Sequence, residues 1–162
     1  VDAPAADQRR LLDVQAADLR AQQARHRRAT LPVLAQLDEL TGRVVDLGDE
    51  RAARSAIVGD IRREVTKVED DVTAVRARAE RDNKRLLSGE GTPRDLQALS
   101  GELEVLQRRK NELEDVELEA MERLEAAEAD LASAETQHAE IAGQIAELET
   151  QRDAEFAEID AE

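Results

Sequence analysis

The chain has 162 residues, a single aromatic (Phe156), no cysteine, 38% charged side chains and a net charge of −15. Aromatic side chains supply the largest packets of buried apolar area, so a chain with one of them cannot fill an ordinary globular core. The lack of cysteine removes disulfides, thiolate nucleophiles and cysteine-ligated metals from these residues.

The first ten residues, VDAPAADQRR, contain no basic segment followed by an apolar run. No apolar stretch approaches the ~20 residues that a membrane span requires, so a cytoplasmic location and no membrane partner are expected. Arginine outnumbers lysine twenty to three, a bias typical of GC-rich bacterial genomes. A first helix is expected over about 5–28, with Leu12, Ala16 and Leu19 on one face. It closes on Arg25-His26-Arg27-Arg28, where cations suit the negative end of the helix dipole. Thr30 and Pro32 then read as the cap and first-turn residue of the next helix.

The second helix is expected over about 32–87. Its apolar stripe steps by three and four: Val33, Leu37, Leu40, Val44, Leu47, Arg51, Arg54, Val58, Ile61, Val65, Val68, Val72, Val75, Ala79, Asp82, Leu86. Thirteen of these sixteen positions are apolar. A tip loop over 88–92 follows, with Gly89 and Gly91 for a reversal, and Thr92-Pro93-Arg94-Asp95 reads as a capped restart. The loop lacks the glycine spacing and the lysine of a phosphate-binding loop.

The third helix is expected over about 93–160. Its stripe runs Leu96, Leu99, Leu103, Leu106, Lys110, Leu113, Glu117, Ala120, Leu124, Ala127, Leu131, Ala134, His138, Ile141, Ile145, Leu148, Arg152, Glu155, Ile159. A period of 3.5 held this long marks helices that supercoil, because a straight helix would drift about 20° per heptad away from its partner. Residues 1–87 carry 17 basic and 16 acidic side chains, and residues 88–162 carry 6 and 22. Pairing the near-neutral arm with the acidic one within a chain avoids stacking two acidic arms. The expected fold is all-α: one coiled-coil domain over 1–162, a long antiparallel helical hairpin with the short N-terminal helix packed at the open end. By length and charge, that first helix is expected to fold back along residues 33–56, making a three-helix base.

Three features are candidates for function. Residues 76–110 hold nine basic side chains, Arg76, Arg78, Arg81, Lys84, Arg85, Arg94, Arg108, Arg109 and Lys110, against six acids. This tip is a candidate contact for a protein partner or for nucleic acid; the bland reading is a solvated face with cross-helix ion pairs, and no aromatic is present there to stack a base. His138 occupies a seam position and reads as a polar layer that helps set register. The acids from Glu112 to Glu128 splay along a helix and converge on no calcium loop or catalytic pocket. No enzyme and no catalytic, cofactor or metal residue is expected.

The stretch from Ser88 to Glu125 resembles the bacterial C4-type zinc-ribbon family of coiled-coil hairpin proteins. The carriers are Ser88-Gly89 with Thr92-Pro93-Arg94-Asp95-Leu96-Gln97, Leu103 to Arg109, Leu113-Glu114-Asp115, Glu117-Leu118-Glu119 and Met121-Glu122. The N-terminal arm, including residues 7–19, is similar more loosely. The resemblance implies adaptor or chaperone activity, with an alternative sigma factor and components of flagellar or type III secretion machinery among partners of some members, and an RNA-binding role. It also implies a zinc ribbon carried on four cysteines after the coiled coil. None of the present residues is a cysteine, so no zinc ligand carries over. The resulting expectation is a non-enzymatic adaptor, scaffold or chaperone that docks protein partners, with RNA binding through the tip as the alternative, on a monomeric hairpin with a dimer as the alternative.

Overall fold

The computed structural model describes residues 4–161, so residues 1–3 and 162 of the expected 1–162 domain lie outside the described residues. Three helices account for nearly all of them: α1 (Ala5–Ala29), α2 (Pro32–Ser88) and α3 (Pro93–Asp160). The fold is the expected all-α antiparallel coiled-coil hairpin, α2 against α3, with α1 joined at the open end. All nineteen positions of the α3 stripe are buried or half-buried, and so are fifteen of the sixteen on α2. Arg51 is the exception, because its long polar side chain stays in solvent where a seam residue would turn inward.

The chain divides into two compact units, one of Val1–Asp49 with Thr136–Glu162 and one of Glu50–Glu135. In the first unit, Val33, Leu37, Ile141 and Ile159 form the buried seam. His138 sits half-buried, and its Nε2 lies 3.9 Å from where a Cβ on Gly48 would stand, an ordinary van der Waals distance, so the imidazole packs beside α2 at this glycine. At the open end the Arg28 guanidinium lies 4.1 Å from the centre of the Phe156 ring and donates to both carboxylate oxygens of Asp160 at 2.8 Å. The sole aromatic of the chain thus serves as a platform for a cation, an arrangement worth about 0.5–1 kcal/mol at an exposed site.

Those contacts join the last turn of α1, and Arg20, Gln23 and Ala24 just before it line a shallow cavity with Ile159. Residues 4–23 are all exposed, with Leu12 at 64% and Leu19 at 54%, so the expected fold-back along residues 33–56 is not made. The physical reason is a thin apolar face: only Leu12, Ala16 and Leu19 repeat on it, between glutamines and arginines. Thr30 also departs from expectation. Its hydroxyl and N–H both donate to the His26 carbonyl, at 2.9 and 3.1 Å, so it closes α1 instead of capping α2.

In the second unit Ala120, Ala134, Val58 and Val72 are the most deeply buried seam residues, and Val68, Val72 and Leu113 pack into one cluster with Val75 against it. β-Branched and leucine side chains interdigitate here, while Ala120 permits close approach of the backbones. Flanking ion pairs cross between the helices: Arg62 with Glu128 and Arg123 with Glu64, each at 2.6 Å. The hydrogen bond and charge of Glu64 strengthen the hold of Arg123 on its proton. Arg54 turns towards α3, where it donates at 2.7 Å to the backbone carbonyl of Asp130, and it also pairs with Glu50 of its own helix.

Candidate functional site

The tip is built by a reversal and a cap. Gly89 (φ 68°) and Gly91 (φ 129°) take left-handed backbone conformations that a side chain would strain. The Ser88 hydroxyl donates to the Arg85 carbonyl at 2.8 Å and the Gly89 N–H to the Leu86 carbonyl at 3.3 Å, closing α2. Thr92 then opens α3. Its N–H and hydroxyl donate to Asp95 Oδ2 at 2.9 and 2.7 Å, and the Asp95 N–H donates back to the Thr92 hydroxyl at 3.3 Å. This reciprocal cap, with Pro93 in the first helical position, satisfies donors that the first turn would otherwise leave orphaned.

The hydrogen bonds from Thr92 hold the Asp95 carboxyl below its ordinary range. A depressed carboxylate adds stability above the unfolded pKa and loses it as pH falls through the folded value. Acidification below about pH 4 is therefore expected to loosen the first turn of α3. Thr92→Ala should cost about 1 kcal/mol and reduce that acid sensitivity without removing it, because the backbone N–H at 92 still donates to Asp95; hydrogen exchange of the amides at 94–98 across pH measures it. Unchanged protection would show that seam packing alone holds the turn.

Around this reversal the nine basic side chains fall into two groups. Five are engaged by carboxylates: Arg76 with Glu114 at 2.5 Å, Arg78 with Glu102 and with Asp82, Lys84 with Glu80 at 2.6 Å, Arg109 with Glu112 at 3.4 Å and Lys110 with Glu114 at 3.6 Å. The bonds from Arg76 and Lys84 lower the pKa of Glu114 and Glu80, as expected for carboxylates held ionised by a donor. Arg85 acts electrostatically on Asp95. With it, Arg81, Arg94 and Arg108 make up the second group, which carries no ion pair among the described residues. The structure brings Arg76 and Lys110 together on Glu114 and places Arg78 between Asp82 and Glu102, so much of the local positive excess is spent inside the hairpin.

Asp82 is the buried polar residue of the seam. It is 9% exposed, its Oδ2 has no hydrogen-bond partner, and the nearest cation, Arg78 Nε, stands at 3.8 Å. No group of three histidine or acidic side chains among the described residues is arranged to hold a metal ion. No described helix is long and apolar enough to cross a membrane.

Reading along the stripes overlooks apolar residues that stand off them. Val116, Leu118 and Met121 on α3 are 43–59% exposed, and on α1 Leu11 and Val14 join the expected face residues Leu12 and Leu19 at 54–66% exposure. The signal was present in the order of residues: large apolar side chains within a strict heptad arm, one or two positions away from the seam.

A capped reversal between two heptad helices with a continuous seam defines the class: an antiparallel coiled-coil hairpin. The chain belongs to the family of the CT398-like coiled coil hairpin domain, whose profile matches residues 14–162. It is 32% identical over 155 residues to uncharacterized proteins of two Mycobacterium tuberculosis strains, H37Rv and CDC 1551. That alignment covers 96% of this chain and 63% of each relative, so the chain spans less than two thirds of their length. A solved structure from Mycobacterium smegmatis superposes with a TM-score of 0.86 at 30% identity, covering 99% of this chain and 66% of the other.

Proposed function

We propose that this hairpin is a non-enzymatic scaffold of the adaptor or chaperone class that binds protein partners by docking helices against its surface. The observation that carries this reading is the set of large apolar side chains left outside the seam, Leu11, Leu12 and Leu19 on α1 and Leu118 and Met121 on α3. Large apolar side chains exposed side by side lower solubility, and helix-on-helix docking is the interaction that covers such faces. The tip supplies charge complementarity: Arg81, Arg94 and Arg108 remain available to an acidic partner.

RNA binding through the tip is the competing reading, and the pairing of five of the nine tip cations with carboxylates weighs against it. The two separate by experiment. A photo-crosslinking side chain placed at Leu12, and in parallel at Arg94, should capture protein from cells at position 12. Labelled single-stranded RNA should show no shift with the purified chain at low salt. A salt-dependent shift abolished by Arg81→Glu/Arg94→Glu/Arg108→Glu, without protein capture at position 12, would replace the scaffold reading with the RNA one.

A further inference from the structure

Among the surfaces of the second unit, one shallow groove combines apolar and acidic groups. Val65 of α2 and Leu118, Met121 and Leu124 of α3 line its floor. Glu69 on one side and Glu122 and Glu125 on the other form its rim. None of these three carboxylates has an ion pair among the described residues, whereas Glu128 at the groove end is taken by Arg62. The floor is open to solvent, with Leu118 at 59% and Met121 at 50% exposure.

The complementary surface is on the same chain. α1 presents Leu12, Ala16 and Leu19 on one face, and Arg9 and Arg20, neither of them in an ion pair among the described residues, fall along one edge of it. Both faces are uncovered in a single copy, since residues 4–23 of α1 are exposed throughout.

We infer that the groove receives α1 of a second copy of this chain, with the leucines of α1 on the apolar floor and Arg9 and Arg20 against the free glutamates of the rim. The contact joins α1 of one copy to the groove of another, so association rises with the concentration of the chain. Each contact is small, which places the association among the weak, concentration-dependent interfaces, with a dissociation constant on the order of 10 μM. The inference rests on the reading that the off-seam apolar faces dock helices, and it names the occupant of one of them.

The test is sedimentation equilibrium of the 162-residue chain from about 1 to 300 μM in 0.15 M salt, where a Debye length of about 8 Å screens the mutual repulsion of two acidic chains and leaves contacts at groove distance to decide. Arg9→Glu/Arg20→Glu and Glu122→Lys/Glu125→Lys should each weaken the dimer at least about tenfold, while a 1:1 mixture of the two variants restores association to within about threefold of the original. Circular dichroism checks that each variant keeps its helices, and Leu12→Ser, which leaves every charge in place, tests the apolar contact and should also abolish the dimer.

A chain that stays monomeric at 300 μM overturns the inference, as does an association untouched by the groove variant. Sensitivity to the α1 variant alone means that α1 pairs with another surface, and it also overturns the inference. A monomeric chain whose position-12 probe still captures another protein refutes self-association and leaves the scaffold reading standing; loss of both refutes the two together.

Discussion

Leu113→Ala is expected to destabilise the hairpin by about 2–4 kcal/mol, the range for truncating a buried leucine. Leu113 is 6% exposed and belongs to the cluster with Val68 and Val72. A two-helix seam has no third layer to collapse into the space, so the cavity should persist or fill with water. For a chain of this size that loss lowers the melting temperature by roughly 5–15 °C. Leu87→Ala is the internal control, since Leu87 is 78% exposed and its truncation should change stability by less than about 0.5 kcal/mol. Thermal unfolding followed by circular dichroism measures both. Equal effects at 113 and 87 would refute the seam as the source of stability.

Asp82→Leu is expected to act in the opposite direction and stabilise the chain by about 1–3 kcal/mol. The carboxylate occupies a seam position with one oxygen buried and unbonded, and a desolvated group without a partner costs about that much. Leucine removes the penalty and adds apolar area at a position where the flanking layers, Ala79 and Leu86, are already apolar. Arg78 loses its weaker contact at 3.8 Å but keeps Glu102. A polar residue in a seam often serves to set register, at a cost in stability. If Asp82 has that role, the leucine variant should melt higher yet show lower hydrogen-exchange protection near the tip. A variant that melts lower than the original would mean that Asp82 is satisfied in solution by a partner such as Arg78.

How much of this was legible beforehand varies along the chain. The heptad positions from Leu96 to Ile159 all turn inward in the structure, and so do those of α2 apart from Arg51. Such positions can be read because helix geometry is local: a residue three or four places along returns to the same face whatever the rest of the chain does. The capped restart at Thr92 was equally local, since threonine, proline and aspartate at that spacing meet within one turn. The family match over residues 14–162 agrees with the coiled-coil part of the resemblance read from the sequence.

The tip charges show where such reading stops. Nine cations against six acids is a statement of composition, and it does not say that Arg76 and Lys110 converge on Glu114 while Arg94 and Arg108 carry no pair. That division depends on which residues of the facing helix lie within reach, hence on register and side-chain length. Thr30 shows the same limit at shorter range, because its hydroxyl has two helix ends to choose from and takes the carbonyl of His26.

From the order of residues alone came the helices, the two stripes, the reversal at 88–92 and the antiparallel pairing, because each follows from local geometry and from a charge difference between the arms. Only the tertiary structure decided that α1 is joined by its last turn through Arg28, Phe156 and Asp160, that Asp82 is buried with an unbonded oxygen, and that Leu118 and Met121 line an open acidic groove. These three facts concern contacts between residues distant in sequence, and such contacts are set by competition among faces, which periodicity cannot rank.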